Sequence, residues 1–123
     1  VERQQIFPVD PDAWNTVSNA MQKVISSPLG TAIHFGKNTH YTVAGKTGTV
    51  QMYAKRRFHY RSSKSIPKAL KNNHLFISFA PIKHPTIALA IVVEHGEDAD
   101  GIARHIIDRY LQLHQSNSER KAA

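Results

Sequence analysis

An α+β fold, a three-stranded antiparallel sheet flanked by helices, is what this chain of 123 residues predicts. Apolar residues recur at helical spacing near both ends, over about 11–26 and 99–113. Between them, runs at about 41–53, 75–80 and 86–93 alternate or stay apolar in the manner of strands. Only the link from Pro81 to Pro85 separates the last two runs, so they form an antiparallel hairpin. At this length the whole chain is one domain or part of one, and it can bury roughly two thirds of its surface.

Residues 1–9 read as extended. Asp10 followed by Pro11 is a helix start: a carboxylate to cap free N–H groups, then a proline where no N–H is needed. Trp14, Val17, Met21, Val24 and Ile25 fall on one face of that helix, which stops near Ser26-Ser27-Pro28. Leu29 to Ala32 is a loop, and a short extended segment follows, turned by Gly36-Lys37-Asn38. Tyr41-Thr42-Val43 then leads into the first strand. The connection 54–73 is basic and polar, with Ile66, Ala69 and Leu70 able to support a short helical turn. Leu75 to Ala80 is a strand closed by Pro81. The near-continuous apolar run 86–93 reads as a central strand covered on both faces. Glu94-His95-Gly96 ends it, and Asp98 or Asp100 caps a last helix. Ile102, Ile106, Tyr110 and Leu113 form that helix's inward stripe, widened by Ala103 and Ile107. The polar tail 114–123 is expected to fray.

Composition excludes several function classes. There is no cysteine, which removes disulfide scaffolds and thiolate metal sites. No apolar run approaches the roughly 18 residues of a membrane span. The chain starts at Val1, and the expectation is a piece of a longer protein with its anchoring and targeting segments upstream. The net charge of +7 suggests nucleic acid until its distribution is seen. Residues 55–71 hold seven of the 16 basic residues and no acid, which leaves the remainder balanced against the nine acids. That segment is a solvated connection or an anion site. No nucleic-acid signature accompanies it, and Phe58 and Tyr60 are too few for a base-stacking platform, so no nucleic-acid partner is expected. None of the eight histidines stands at a zinc spacing, and Asp10 with Asp12 is explained by capping, so neither metal nor cofactor is expected.

The stretch Ala44-Gly45-Lys46-Thr47-Gly48-Thr49-Val50-Gln51-Met52-Tyr53 is organised around one ammonium, two hydroxyl side chains beside it and two glycines. As a strand it puts Thr47 and Thr49 on one face and Gly48, Val50 and Met52 on the other. Three readings compete. The first is an ordinary strand that contains a lysine. The second is a phosphate loop, which needs a glycine where His40 stands and a helix where Thr49 to Tyr53 read as extended. The third is the Lys-Thr-Gly strand of serine acyl-transferases that bind penicillin. A cation, hydroxyl donors and an unobstructed edge suit the terminal carboxylate of an extended peptide.

Five segments in order decide among them. They are Trp14 through Met21 to Pro28-Leu29-Gly30-Thr31-Ala32, then Ala44 to Gln51, then His74-Leu75-Phe76 to Pro81, then Ala88 to Gly96, then Ala103 to Asp108. Together they resemble the C-terminal part of the penicillin-binding transpeptidase domain, of the class B, elongation-type penicillin-binding protein 2 family. The resemblance implies a serine D,D-transpeptidase fold and activity, cross-linking peptidoglycan stem peptides and acylated by β-lactams. It implies that Lys46, Thr47 and Thr49 hold the carboxylate of a D-Ala-D-Ala donor or of penicillin. It also implies that the backbone N–H of Thr49 forms half of the oxyanion hole and that Gly48 keeps the edge clear. Elongation-machinery partners and the periplasmic side of the inner membrane are implied for the parent protein.

The family's other motifs, Ser-x-x-Lys and Ser-x-Asn, do not stand upstream of Lys46 in this chain. Ser65-Ile66-Pro67-Lys68 comes after the lysine strand and is broken by Pro67, and Ser118-Glu119-Arg120-Lys121 sits in the polar tail. With no nucleophile there is no acyl-enzyme, so the chain alone is expected to be inactive. Strand 86–93, which in the family pairs with a strand not present here, is expected to offer an edge for a non-native dimer. Two rivals remain: a serine β-lactamase or β-lactam sensor of the same fold, and a non-enzymatic basic module binding anions through 55–71.

Overall fold

The structure, a computed structural model, describes residues 10–52 and 66–122. Expectations for 1–9, for Tyr53 and for most of the basic segment fall outside the described residues. Helix α1 spans Pro11–Ser26, and the Asp10 side chain accepts from the Asp12 N–H at 3.2 Å. It stops at Ser27, whose extended backbone still donates its N–H to Lys23 O. The expected inward stripe is only partly inward. Ile25 is buried and Val24 packs against the core, whereas Trp14 and Val17 are about half exposed. Trp14 instead stacks on Phe79 with ring centroids 5.7 Å apart. The reason is position: α1 packs along β1, an end strand, so its last turn meets the core and its first turns overhang the sheet.

The segment expected to be extended is a short helix, α2, Ile33–Gly36. The loop before it folds back on α1, with Ala32 N–H donating to Val24 O at 3.0 Å and Phe35 N–H to Ala32 O at 3.0 Å. That places the Phe35 ring 5.6 Å from the Phe76 ring, inside the core. The sheet is β1 (Ala44–Val50), β2 (Asn73–Ala80) and β3 (Ile87–Val93), in that order and antiparallel throughout. β1 is shorter than the expected 41–53, because Tyr41 to Val43 precede it and Gln51 and Met52 leave the ladder. A 3-10 turn at Lys68–Leu70 leads into β2.

The register explains which face is buried. Gly45 pairs with Ser78 and Thr47 with Phe76, while Ser78 and Phe76 pair on their other side with Leu89 and Ile91. Phe76, Ser78 and Ala80 are buried on this face, and α3 (Ala99–Ala122) joins the same core through Ala99, Ala103 and Ile107. Of the expected stripe on α3, Ala103 and Ile107 are buried, but its centre is displaced by one residue. Ile102, Ile106 and Leu113 are over 40% exposed, because small Ala99 and Ala103 at a spacing of four let the helix approach the sheet closely. Tyr110 is partly buried and donates its hydroxyl to Thr86 O at 2.9 Å. The backbone of the polar tail stays helical to Ala122, with no glycine or proline to stop it.

β3 is not central among the described residues. It pairs with β2 alone, and its residues alternate between half-buried and exposed. Ala88, Ala90 and Val92 are exposed on the outer face beside Ile77. The apolar run has the composition of a strand covered twice, and this structure covers it once.

One side chain ties α3 to the chain entering β1. Arg104 donates to Asp108 at 2.7 Å and, from the other arms of its guanidinium, to the carbonyls of Phe35, Lys37 and Asn38. Asp108 also accepts from the Tyr41 hydroxyl at 2.7 Å. The guanidinium lies 5.8 Å from the Phe35 ring centroid and 5.9 Å from that of Tyr41, within cation–π range.

Two outcomes follow from this packing. Burial raises the Tyr41 pKa well above its usual 10.0, the hydrogen bond to Asp108 and the charge of Asp108 add to the rise, and Arg104 partly offsets it. A raised phenol pKa means that the folded chain keeps a proton the unfolded chain loses. The contribution is complete below the unfolded value, about 10, and declines as pH rises from there. Tyr41→Phe should cost about 1–2 kcal/mol near neutrality, and chemical denaturation should show that deficit shrinking above pH about 10. Gly45 is required by packing: a Cβ there would stand 2.5 Å from Phe76 Cζ and 3.1 Å from Ile25 Cδ1. Gly45→Ala should lower stability by about 1–3 kcal/mol, read from the unfolding midpoint.

Candidate active-site strand

Burial falls away along β1. Ala44 and Gly45 are buried, Lys46 is exposed, Thr47 and Gly48 are half-buried, and Thr49 and Val50 are exposed. The strand is thus anchored at its start and open from the lysine onward. Among the described residues it is also an end strand, with β2 on one side. Phe76 and Ile25 hold Gly45 from the core, so the exposed part projects from a fixed base.

The structure places Lys46, Thr47, Gly48 and Thr49 consecutively on this strand but not on one face. Lys46, Gly48 and Val50 share the face of Ile77 and Leu75, while Thr47 and Thr49 share the face of Phe76 and His74. The Lys46 ammonium donates to the Thr47 carbonyl at 2.7 Å. The Thr47 hydroxyl lies 2.7 Å from the hydroxyl of Thr31. Ammonium and hydroxyl therefore flank the strand from its two sides, an arrangement that can reach an anion lying in the plane of the sheet.

The two glycines have different reasons to be glycine. Gly45 leaves no room for a Cβ, whereas a Cβ on Gly48 would meet Leu75 Cβ at 3.4 Å, an ordinary contact. Nothing in the packing of the described residues demands glycine at 48.

Reading the sequence missed two features of this end of the sheet. Thr31 stands in the resemblance segment 28–32, but only its contact with Thr47 gives it a role. The other is a cleft of about 470 Å³ lined by Lys71, Asn72, His74, His95 and Glu97. His74 is the direct cross-strand partner of Thr49, so the cleft adjoins the open end of β1. His95 takes a positive φ of 52° and is held by its N–H to Asn73 Oδ1 at 2.9 Å and by its ring Nδ1, 3.2 Å from Lys71 O. The composition of 66–97 gives no signal for it, because its lining comes from both ends of the β2–β3 hairpin. Among the described residues, no group of three or more His, Asp or Glu side chains is placed to hold a metal ion.

Comparison with known proteins fits this geometry. Residues 1–111 match the family described as the penicillin binding protein transpeptidase domain. The peptidoglycan D,D-transpeptidase MrdA of Salmonella typhimurium strain LT2 is 32% identical over 101 residues, which cover 82% of this chain. The same alignment covers 16% of that relative, so this chain spans about a sixth of its length. PBP2 of Pseudomonas aeruginosa, solved in complex with WCK 5153, superposes with a TM-score of 0.61 at 31% identity, covering 88% of this chain and 21% of that one. PBP2 of Helicobacter pylori, solved in complex with MreC, gives a TM-score of 0.60 at 25% identity, covering 82% of this chain and 17% of that one. The family match spans most of the sequence, including the strand whose geometry is described above, and the chain belongs to the penicillin-binding protein transpeptidase family.

Proposed function

We propose that this chain is the C-terminal portion of the catalytic domain of a class B, elongation-type peptidoglycan D,D-transpeptidase, and that β1 is one wall of its active site. The observation that carries the reading is the burial profile of β1: a buried base at Ala44 and Gly45, then an exposed ammonium and hydroxyls along an end strand. In this role the donor stem peptide lies extended along β1. Lys46 and Thr47 take its terminal carboxylate from opposite sides of the strand, and Thr49 adds a further hydroxyl donor. Gly48 leaves space for the donor backbone. A serine on another part of the parent protein attacks the penultimate carbonyl and expels the terminal D-Ala as its amine, or attacks the β-lactam carbonyl and opens the ring C–N bond, the serine proton passing to the departing nitrogen. The backbone N–H of Thr49 then meets the oxygen as it becomes an oxyanion, stabilising charge that the ground state does not carry.

The relatives support the setting. MrdA is named a peptidoglycan D,D-transpeptidase, and a PBP2 has been solved with MreC. We place the parent on the periplasmic side of the inner membrane, among elongation-machinery proteins. The same names favour a transpeptidase over a β-lactamase or sensor of similar fold.

Fluorescent penicillin tests the reading. The intact transpeptidase should be labelled, and this chain alone, with no Ser-x-x-Lys motif upstream of Lys46, should not be. Lys46→Ala in the intact enzyme should slow acylation about 10- to 100-fold, the cost of one charge-assisted bond. Gly48→Ala should leave the unfolding midpoint within a degree or two, or raise it, yet reduce acylation. Covalent labelling of this chain, or full activity of Lys46→Ala, would refute the assignment.

In isolation the chain should also self-associate. β3 has seven residues from Ile87 to Val93 with no charge and no proline to protect a free edge. Its outer face adds Val92 at 60% and Ile77 at 50% exposure. Light scattering across a concentration series should show dimers or larger species through this edge. A monomer at every concentration would count against it.

A further inference from the structure

We propose that Thr31 is a positioning residue for this site: its hydroxyl sets the direction in which Thr47 donates, and so whether Thr47 can grip a carboxylate. The proposal rests on the reading of β1 as a carboxylate-binding strand and extends it to a residue outside the Lys-Thr-Gly stretch.

The loop that carries Thr31 is held on both sides. Gly30 N–H donates to Ser27 O at 2.8 Å, and Ala32 N–H to Val24 O at 3.0 Å. Ala32 is buried, and a Cβ on Gly30 would lie 2.7 Å from Lys23 O, so the loop runs tight against the end of α1. Thr31 thus projects from a pinned backbone, and its Oγ1 lies 2.7 Å from Thr47 Oγ1, sixteen residues along the chain. That distance is typical of a hydroxyl pair sharing one proton between two oxygens.

Each hydroxyl has one proton, and the pair uses one of the two. If Thr47 donates to Thr31, Thr47 has none left for a ligand. If Thr31 donates to Thr47, the Thr47 proton is free. A carboxylate only accepts, so its arrival selects the second arrangement and completes a chain from Thr31 through Thr47 to the anion. Donation into Thr47 polarises its O–H and strengthens the outer bond. Thr31 spends its proton on Thr47 and acts through it.

The test uses the intact transpeptidase carrying this segment, with benzylpenicillin and its methyl ester, which lacks the carboxylate, as probes. Thr31→Val keeps the shape and removes the hydroxyl. It should slow acylation by benzylpenicillin about three- to tenfold while leaving the methyl ester unchanged. Thr31→Ser should restore the rate. Thr31→Val added to Thr47→Val should cost nothing beyond Thr47→Val alone, as expected of a residue that acts only through its partner. Equal slowing with both probes, or no rescue by serine, would show a merely structural role and overturn the proposal. So would a normal preference for benzylpenicillin in Thr31→Val when Thr47→Val has lost it. If Thr47→Val keeps that preference too, the carboxylate reading of β1 itself fails and this proposal with it.

Discussion

The Arg104 guanidinium holds the structure together at the point where the sheet begins. It donates to three consecutive-region carbonyls, those of Phe35, Lys37 and Asn38, and is fixed in turn by Asp108. These carbonyls lie at and just beyond the end of α2, where a helix leaves acceptors without partners. A lysine could supply one point charge here, whereas a planar fork serves several acceptors together. The consequence is geometric. α2 puts Phe35 against Phe76, Tyr41 reaches Asp108, and the strand that follows starts from a place set by both contacts. The open half of β1 is held by its pairing with β2, Thr47 to Val50 against Phe76 to Asn73, while the buried half is also packed into the core.

That division explains how a chain of 123 residues can present an ordered edge. Phe76 fills the space over Gly45, and the buried stripe of α3 lies on the same face. The opposite face has no such cover: Ile77, Val92, Ala88 and Ala90 are exposed, as are Ile102 and Ile106 on α3. Patches of this kind are rare on monomers that have buried all they can. They accord with a chain that spans 16% of the Salmonella relative. The site is therefore ordered by one core while the molecule around it presents surfaces that this core does not use.

How much of this was legible depended on whether the signal was local. Asp10-Pro11 marked the start of α1 because capping is a two-residue interaction, and the strands showed as runs of branched and aromatic residues. The Lys-Thr-Gly strand was legible as a strand and as an accessible one. α2 was not, because the four residues Ile33 to Gly36 are too few to show a period, and the bond from Ala32 N–H to Val24 O that seats the turn on α1 is made only on folding. The inward face of α3 was only partly legible: Ala103 and Ile107 were expected inward and are buried, but Ile102 and Ile106 outweigh the alanines in hydrophobicity, while closeness of approach favours Ala99 and Ala103. β3 reads as central because a continuous apolar run signals burial but not the number of strands that pair with it, and among the described residues it pairs with β2 alone. Arg104 and Thr31 were invisible, since each acts on residues brought near only by folding.

The Lys46 ammonium and the Thr47 hydroxyl already have partners within the chain, and this limits what they contribute. Lys46 donates to Thr47 O at 2.7 Å, and the Thr47 hydroxyl is paired with Thr31. In the proposed role an incoming carboxylate gives up its hydration for these groups, while Thr47 goes on accepting from Thr31 as it donates outward and the Lys46 ammonium has further protons to offer. The net gain of such an exchange is about 1–3 kcal/mol, far below the sum of the contacts. In the proposed role the grip therefore chooses orientation more than it supplies affinity, holding the reacting carbonyl against the Thr49 N–H. That N–H gains strength only when the oxygen becomes negative, so its contribution appears in the barrier and not in the binding of substrate. An exposed, modestly binding rail on a rigid base is the arrangement this division of labour requires.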